Sequence, residues 1–145
     1  DHKASETMPA TIYRASKDRD VAILAITPPP AMPLVESVLT DVSQVRQGDE
    51  VAFIGFPLGS DLLKTTQQER ATTTFRRATV GKVTESLIQL DAPIQSGYSG
   101  SPIFNRDGKV VGIVTAEIKD DLEAKSLAIG LGTPIKQVIE LLAES

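Results

Sequence analysis

The chain has 145 residues, 41% of them hydrophobic and 23% charged, which is typical of one globular domain with a sizeable core. Its net charge of −4, without a basic cluster interleaved with aromatic residues, argues against nucleic-acid binding. The longest apolar runs are strand-sized and far shorter than a membrane span. The sequence has no cysteine and a single histidine, His2, which excludes disulfides and Cys/His zinc sites. We therefore expect neither a metal nor another cofactor.

The N-terminal part of the chain predicts two short strands. Residues 10–15 (ATIYRA) and 21–26 (VAILAI) are strand-sized apolar segments joined by a polar turn. Consecutive prolines at 28–30 then impose an extended, non-helical connector. This connector is either a crossing between two structural halves or a surface loop within one domain.

The middle of the chain predicts several short strands separated by turns, a pattern that favours a barrel or a sandwich. Asp107-Gly108 lies between two apolar runs and predicts a tight hairpin turn, in which glycine supplies the positive φ. Residues 60–70 are polar and predict a long loop. Strands are predicted over residues 50–57, 72–83, 87–90 and 109–118.

The C-terminal end predicts the one clear helix. Thr133 is suited to cap its first turn, and Pro134 is suited to the first helical position. The apolar residues that follow recur at helical spacing, which favours packing against the core. The predicted apolar face consists of Ile135, Val138, Ile139 and Leu142.

A short glycine- and serine-rich segment, GYSGSP at residues 97–102, is the candidate for chemistry. A serine hydroxyl attacks a carbonyl only where a base takes its proton and donors stabilise the oxyanion that forms. Gly97 and Gly100 permit a backbone that turns N–H groups toward a substrate oxygen. Ser99 is therefore a candidate nucleophile, and the N–H groups of Gly97 and Ser99 are candidate oxyanion donors. On this segment alone, an ordinary flexible turn is the alternative.

Four elements in order resemble trypsin-like serine proteases, especially the bacterial HtrA/Deg type. They read DRDVAILAI, QGDEVAFIGFPLG, IQLDAPIQSGYSGSPIFNRDGKVVGIVTA and AIGLGTPIKQVIELL. The resemblance implies an all-β fold with a six-stranded antiparallel β-barrel, a partial first barrel and a C-terminal α-helix. It implies the end of the first barrel and the crossover in residues 1–30, the second barrel in 31–132 and the helix in 133–145.

The resemblance also implies roles for individual residues. Ser99 is the nucleophile, Asp20 is the acid of the triad, and Gly97 and Ser99 supply the oxyanion hole. Asp20 matches because it directly precedes the apolar run of its strand; without the family pattern it reads as a solvated turn acid. Tyr98 stands where the family usually has Asn or Asp, and Ser101 replaces the commoner Gly.

The base of the triad has no match in this sequence. The family's histidine lies well upstream of the aspartate, whereas His2 lies close to it, and we interpret His2 as an exposed residue near the chain end. One hypothesis is that the chain is the C-terminal portion of a serine endopeptidase whose base lies outside it, so that the chain alone is inactive. Another is a pseudoprotease or scaffold that has lost its base. A third is a β-barrel interaction module in which Ser99 is incidental.

The resemblance places the primary specificity pocket around the segment before the nucleophile and the strand after it. The candidate residues of this pocket include no Asp or Glu, so we expect the pocket to prefer substrates with a modest aliphatic side chain over substrates with Lys or Arg. Expected partners are a polypeptide substrate, the N-terminal portion of the same protein and a further copy in a homo-oligomer; a periplasmic or secreted location is favoured. The candidate pocket residues are Pro93, Ile94, Gln95, Ser96, Val114, Thr115 and Ala116.

Overall fold

The computed structural model describes residues 8–56, 73–94, 97–115 and 129–144. Within these ranges the chain forms strands, one α-helix and a short 3-10 helix over Val42–Gln44. The strands are β1 (Ala10–Ser16), β2 (Val21–Ile26), β3 (Glu50–Gly55), β4 (Thr74–Val83), β5 (Ile88–Leu90), β6 (Pro102–Phe104), β7 (Val110–Val114) and β8 (Gly130–Pro134), and the helix is α1 (Ile135–Ala143).

Six strands close into an antiparallel barrel in the order β3-β4-β5-β8-β7-β6. Side chains alternate between its inside and outside, as a pleated strand requires: in β3, Val51 and Phe53 are buried and Ile54 is exposed. Phe53, Ile88 and Ile103 are completely buried at the centre. This arrangement confirms the predicted all-β fold with a six-stranded barrel and a C-terminal helix.

Strands β1 and β2 form a separate two-stranded antiparallel sheet, the N-terminal hairpin. Two of its large apolar side chains are open to solvent, with Ile12 72% and Leu24 57% exposed. The hairpin contacts α1, and the guanidinium of Arg14 donates a 3.0 Å hydrogen bond to the carbonyl of Leu141. Helix α1 therefore lies between the hairpin and strands β7 and β8 of the barrel.

The connector after the hairpin returns the chain to the barrel. The Leu39 N–H donates to the Val110 carbonyl at 2.9 Å, so the connector runs beside β7. Asp41 caps the 3-10 helix and accepts hydrogen bonds from the hydroxyl and the N–H of Ser43. These bonds favour the ionised carboxyl, and the pKa of Asp41 is lowered as a result.

The predicted hairpin turn at Asp107-Gly108 is confirmed between β6 and β7. Gly108 has a φ of 79°, a left-handed conformation that favours glycine. The side-chain oxygen of Asn105 accepts from the N–H groups of Asp107 and Lys109 at 3.0 and 2.9 Å. The predicted strand over 109–118 is seen as β7 up to Val114, and the part beyond Thr115 lies outside the described residues, as does the predicted loop over 60–70.

The predicted start of the helix is wrong. Thr133 belongs to β8, Pro134 is the N-cap without a side-chain hydrogen bond, and the helix begins at Ile135. The Thr133 hydroxyl instead donates to the carbonyl of Arg19 at 2.8 Å. The hydroxyl that was predicted to cap the helix is therefore used in a hydrogen bond to a residue that is distant in the sequence.

The predicted apolar face of the helix is correct only in part. Ile135 is buried and Val138 is half-buried, but Ile139 and Leu142 are 40% and 50% exposed. Leu141 is buried instead, because the short helix contacts the hairpin as well as the barrel. No helix within the described ranges is long and apolar enough to cross a membrane.

Candidate active site

The segment 97–101 forms a tight loop between β5 and β6, the nucleophile loop. Gly97 and Gly100 have φ values of 99° and 87°, which a residue with a side chain rarely adopts. The loop is hydrogen-bonded at both ends: Gly97 accepts from the Phe56 N–H at 3.1 Å, and Gly100 donates to the Val114 carbonyl at 2.7 Å. Ser99 at the tip is exposed, and its hydroxyl donates to the Thr115 carbonyl at 3.5 Å.

A buried aromatic ring anchors this loop to the barrel. Tyr98 is 1% exposed, and its ring packs edge-to-face on Phe53 with the centroids 5.1 Å apart. Gly55 lies directly beneath: a Cβ atom there would approach the Ser101 hydroxyl and a Tyr98 ring carbon to 2.6 Å. Tyr98, which stands where the family usually has Asn or Asp, is therefore a core residue of the barrel.

Asp20 lies at the end of the β1–β2 turn. It has a φ of 53°, and its N–H donates to the Lys17 carbonyl at 3.2 Å. Asp20 and Ser99 line the same cavity of about 310 Å³, together with Val114 and Thr115. The structure thus brings together two candidates that lie far apart in the sequence.

Residues of β8 and α1 hold the turn that carries Asp20. The buried Thr133 hydroxyl donates to the carbonyl of Arg19 at 2.8 Å, as noted above. The Arg19 guanidinium donates to Gln137 at 3.1 Å and pairs with Glu144 at 2.8 Å. Sequence reasoning missed these contacts, because no local pattern joins an arginine to residues more than a hundred positions away.

The candidate pocket residues are distributed over two places. Val114 and Thr115 line the cavity with Ser99, whereas Pro93 and Ile94 lie outside it. Ile94 is buried against Gly130, where an added Cβ would come within 2.7 Å of its terminal carbon. Gln95, Ser96 and Ala116 lie outside the described residues.

No base is found beside this pair within the described part of the chain. His2, the one histidine of the sequence, lies outside the described residues. Within the described ranges, no group of three His, Cys, Asp or Glu side chains lies close enough to hold a metal ion. The described geometry therefore brings an exposed hydroxyl and a carboxylate to one cavity, and these are two of the groups that acyl transfer uses.

A family model for the trypsin-like peptidase domain matches residues 2–113. The active-form structure of the Rv3671c protease from M. tuberculosis superposes with a TM-score of 0.70 at 23% identity, covering 94% of this chain and 58% of that one. An inactive form of the same protease, carrying a serine-to-alanine mutation, gives a TM-score of 0.66 at 22% identity over 94% of this chain and 64% of that one. These likenesses show the fold.

The chain is also similar in sequence to curated serine proteases. The chain is 40% identical over 94 residues to the serine protease Do-like HtrA of Bacillus subtilis, covering 61% of this chain and 21% of that protein. It is 34% identical over 138 residues to the probable periplasmic serine endoprotease DegP-like of Rickettsia prowazekii, covering 92% of this chain and 26% of that protein. The chain thus spans about a quarter of these relatives. The family match shows that this chain belongs to the trypsin-like peptidase domain family, and the curated relatives that it resembles are HtrA- and DegP-like serine proteases.

Proposed function

We propose that this chain contributes the nucleophile and the acid to the Ser-His-Asp triad of a serine endopeptidase. Ser99 is the nucleophile and Asp20 is the acid. The observation that supports this most directly is the cavity that Asp20 and Ser99 line together, since the β1–β2 turn and the nucleophile loop belong to different sheets.

In this proposal the chemistry is that of a serine protease triad, with Ser99 and Asp20 in this chain and the histidine outside it. A histidine takes the proton of the Ser99 hydroxyl as its oxygen attacks the scissile carbonyl, and the same histidine then protonates the leaving amine. The N–H groups of Gly97 and Ser99 stabilise the negative oxygen that forms on the carbonyl carbon. Asp20 orients the imidazole and stabilises its positive charge. Water then hydrolyses the acyl-enzyme by the reverse sequence of proton transfers.

In this proposal the histidine lies on the N-terminal portion of the full-length protein, outside this chain. That portion would complete a first barrel whose last strands lie in residues 1–30. The second barrel follows and ends with β8 at Pro134, directly before helix α1 (Ile135–Ala143). The exposed Ile12 and Leu24 of the hairpin support it, because such side chains are normally covered in a barrel. The 145-residue chain alone is then inactive.

The substrate in this proposal is a polypeptide with a modest aliphatic side chain at the cleavage site. Val114 and Thr115 lie beside Ser99 and are uncharged. Asp20 is the one acidic residue among the described lining of this cavity, and in this proposal it pairs with the histidine of the triad rather than with the substrate. Pro93 and Ile94 lie outside this cavity; in this proposal they form a separate wall of the pocket, together with Gln95, Ser96 and Ala116. Peptides that vary only at this side chain test the preference.

The second candidate is a pseudoprotease that binds peptides in the same cavity without cutting them. One observation favours it: no histidine lies near Asp20 and Ser99 in the described part of the chain. The two candidates differ in one property, the reactivity of the Ser99 hydroxyl in the full-length protein.

A fluorophosphonate probe measures this reactivity, because an activated serine oxygen bonds to its phosphorus and displaces fluoride. For the protease we expect labelling of the full-length protein that disappears in Ser99→Ala and falls by about 10⁴-fold in Asp20→Asn. Ser86→Ala, an exposed serine in a turn, is the matched control and should label normally. A wild type that neither labels nor cleaves peptides supports the pseudoprotease. Hydrolysis by the isolated chain that His2→Ala abolishes would contradict our interpretation of His2.

A further inference from the structure

Arg76 of β4 reaches two separate parts of the candidate site. Its guanidinium donates a 2.8 Å hydrogen bond to the carbonyl of Pro93, which lies just before the nucleophile loop. Its guanidinium carbon also lies 5.9 Å from the ring centroids of both Tyr98 and Phe53. One half-buried side chain therefore contacts the candidate pocket segment at one end and the nucleophile loop at the other.

Both contacts restrain the backbone that carries the oxyanion donors. A guanidinium within about 6 Å of an aromatic face is attracted to it, and a hydrogen bond from a cation to a carbonyl is stronger than one between neutral groups. Tyr98 stands between Gly97 and Ser99, so a contact that fixes its ring also restrains the backbone on either side of it. Pro93 begins the segment that leads into Gly97.

We propose that Arg76 is a positioning residue of this site, which holds Tyr98 and Pro93 so that the Gly97 and Ser99 N–H groups face the substrate oxygen. This inference rests on the proposed function of Ser99. Arg76 acts through its contacts with Pro93 and Tyr98, whereas the Ser99 hydroxyl is hydrogen-bonded to the Thr115 carbonyl. It extends the site to a strand that the sequence motifs do not include.

The next residue of the same strand offers a matched control. Arg77 points to the opposite face of β4, as successive strand residues do, and its side chain is 75% exposed. It pairs with Glu50 at 3.7 Å on the outside of the barrel. The two arginines thus share strand, charge and size, and differ in whether they contact the nucleophile loop.

The first test compares variants of the full-length protein by their rate of fluorophosphonate labelling and by kcat and KM for a peptide. Arg76→Met keeps the aliphatic stem and removes the charge and the donors, so we expect labelling and kcat to fall about ten-fold or more. Arg76→Lys restores a positive charge and a donor and should recover part of the loss. Arg77→Met should stay within about two-fold of wild type.

The second test measures the conformation of the nucleophile loop directly and does not depend on catalytic activity. In NMR spectra of the same proteins, the backbone amides of Gly97, Ser99 and Gly100 should shift in Arg76→Met and remain in place in Arg77→Met. If Arg76→Met does not fold, Arg76→Gln replaces it. This variant keeps an N–H donor without the charge, so it should label more slowly than Arg76→Lys and shift the same three amides.

The outcomes separate the two proposals. Wild-type labelling with an unchanged rate in Arg76→Met, or equal losses in Arg76→Met and Arg77→Met, would overturn the role of Arg76. A wild type that neither labels nor cleaves overturns the proposed function, and the amide shifts then decide by themselves whether Arg76 holds the loop. Shifts at the three amides in Arg76→Met support that role, and unmoved amides overturn it.

Discussion

The barrel and the N-terminal hairpin carry the two halves of the candidate site, and they are stabilised in different ways. Each barrel strand is paired on both sides, and side chains such as Phe53 fill a closed core. The hairpin exposes Ile12 and Leu24 and is joined to the rest of the chain by polar contacts such as the Thr133–Arg19 hydrogen bond. Ser99, the proposed nucleophile, is thus positioned by a hydrophobic core, whereas Asp20, the proposed acid, is positioned by a few hydrogen bonds.

This difference predicts that substitutions in the core destabilise the whole barrel. Substitutions at the polar contacts should instead make the turn that carries Asp20 more mobile and leave the barrel folded. The predictions below test this comparison from the largest expected effect to the smallest.

Phe53→Ala should have the largest effect. Phe53 is completely buried and packs on Tyr98, so its truncation leaves a cavity and should lower the free energy of unfolding by about 3–5 kcal/mol. Urea denaturation measures the change. Phe75→Ala removes the same side chain from the outside of β4, where it is 56% exposed, and should cost much less. Equal losses in the two variants would show that the barrel core is not what stabilises the fold.

Gly55→Ala should disturb the nucleophile loop from below. The new methyl group would meet Tyr98 and Ser101 at 2.6 Å, and overpacking of this kind costs about 1–3 kcal/mol. We expect lower stability in urea and a loss of fluorophosphonate labelling in the full-length protein. Gly81→Ala is the control, because its nearest contact would be 3.4 Å, from a flexible glutamine side chain. Normal labelling of Gly55→Ala would contradict the close packing of the loop on β3.

Thr133→Val tests the hairpin side of the comparison. The substitution keeps the shape of the side chain and leaves the Arg19 carbonyl without its buried donor, which costs about 1–3 kcal/mol. Native-state hydrogen exchange should speed up in β1 and β2 and change little in β3 and β7. Thr79→Val, on the exposed face of β4, should leave both regions unchanged. A uniform acceleration in Thr133→Val would mean that hairpin and barrel unfold as one unit.

Glu144→Gln should have the smallest effect. It weakens the 2.8 Å ion pair with Arg19, whose side chains are partly exposed, and such pairs contribute about 1 kcal/mol or less. The difference from wild type in thermal unfolding should shrink as salt rises, because exposed charges are screened. Lys136→Gln, at the exposed pair with Glu85, is the matched control for a surface ion pair away from the Asp20 turn. A loss in Glu144→Gln that does not respond to salt would argue against an electrostatic role.

The strands of the barrel were predictable because their cause is local. The continuous apolar run at residues 51–54 in β3 and the Asp-Gly turn before β7 determine strand and hairpin with little help from the rest of the chain. The start and face of α1 were not predictable in the same way. The local sequence pattern predicts that the Thr133 hydroxyl caps the first turn of the helix, whereas in the fold it donates to the carbonyl of Arg19.

The candidate site likewise has a part that local sequence predicts and a part that depends on the fold. Ser99 and Asp20 were predicted from motifs, and they remain predictions of role, although the fold places them on one cavity. The contacts that hold their backbones, from Arg76 to Pro93 and from Thr133 to Arg19, had no signal in the sequence. Such contacts depend on how a closed barrel brings distant strands together.

By itself the sequence determined the positions of most strands along the chain, the Asp-Gly turn and the glycines that let the nucleophile loop take positive φ values. These features depend on the conformational preferences of neighbouring residues, which are present in any short segment. Only the tertiary structure decided that Tyr98 is a core residue, that Arg76 contacts it and that Asp20 lies beside the cavity of Ser99. The physical reason is that burial and hydrogen bonding across strands are set by barrel closure, which joins residues that no local pattern connects.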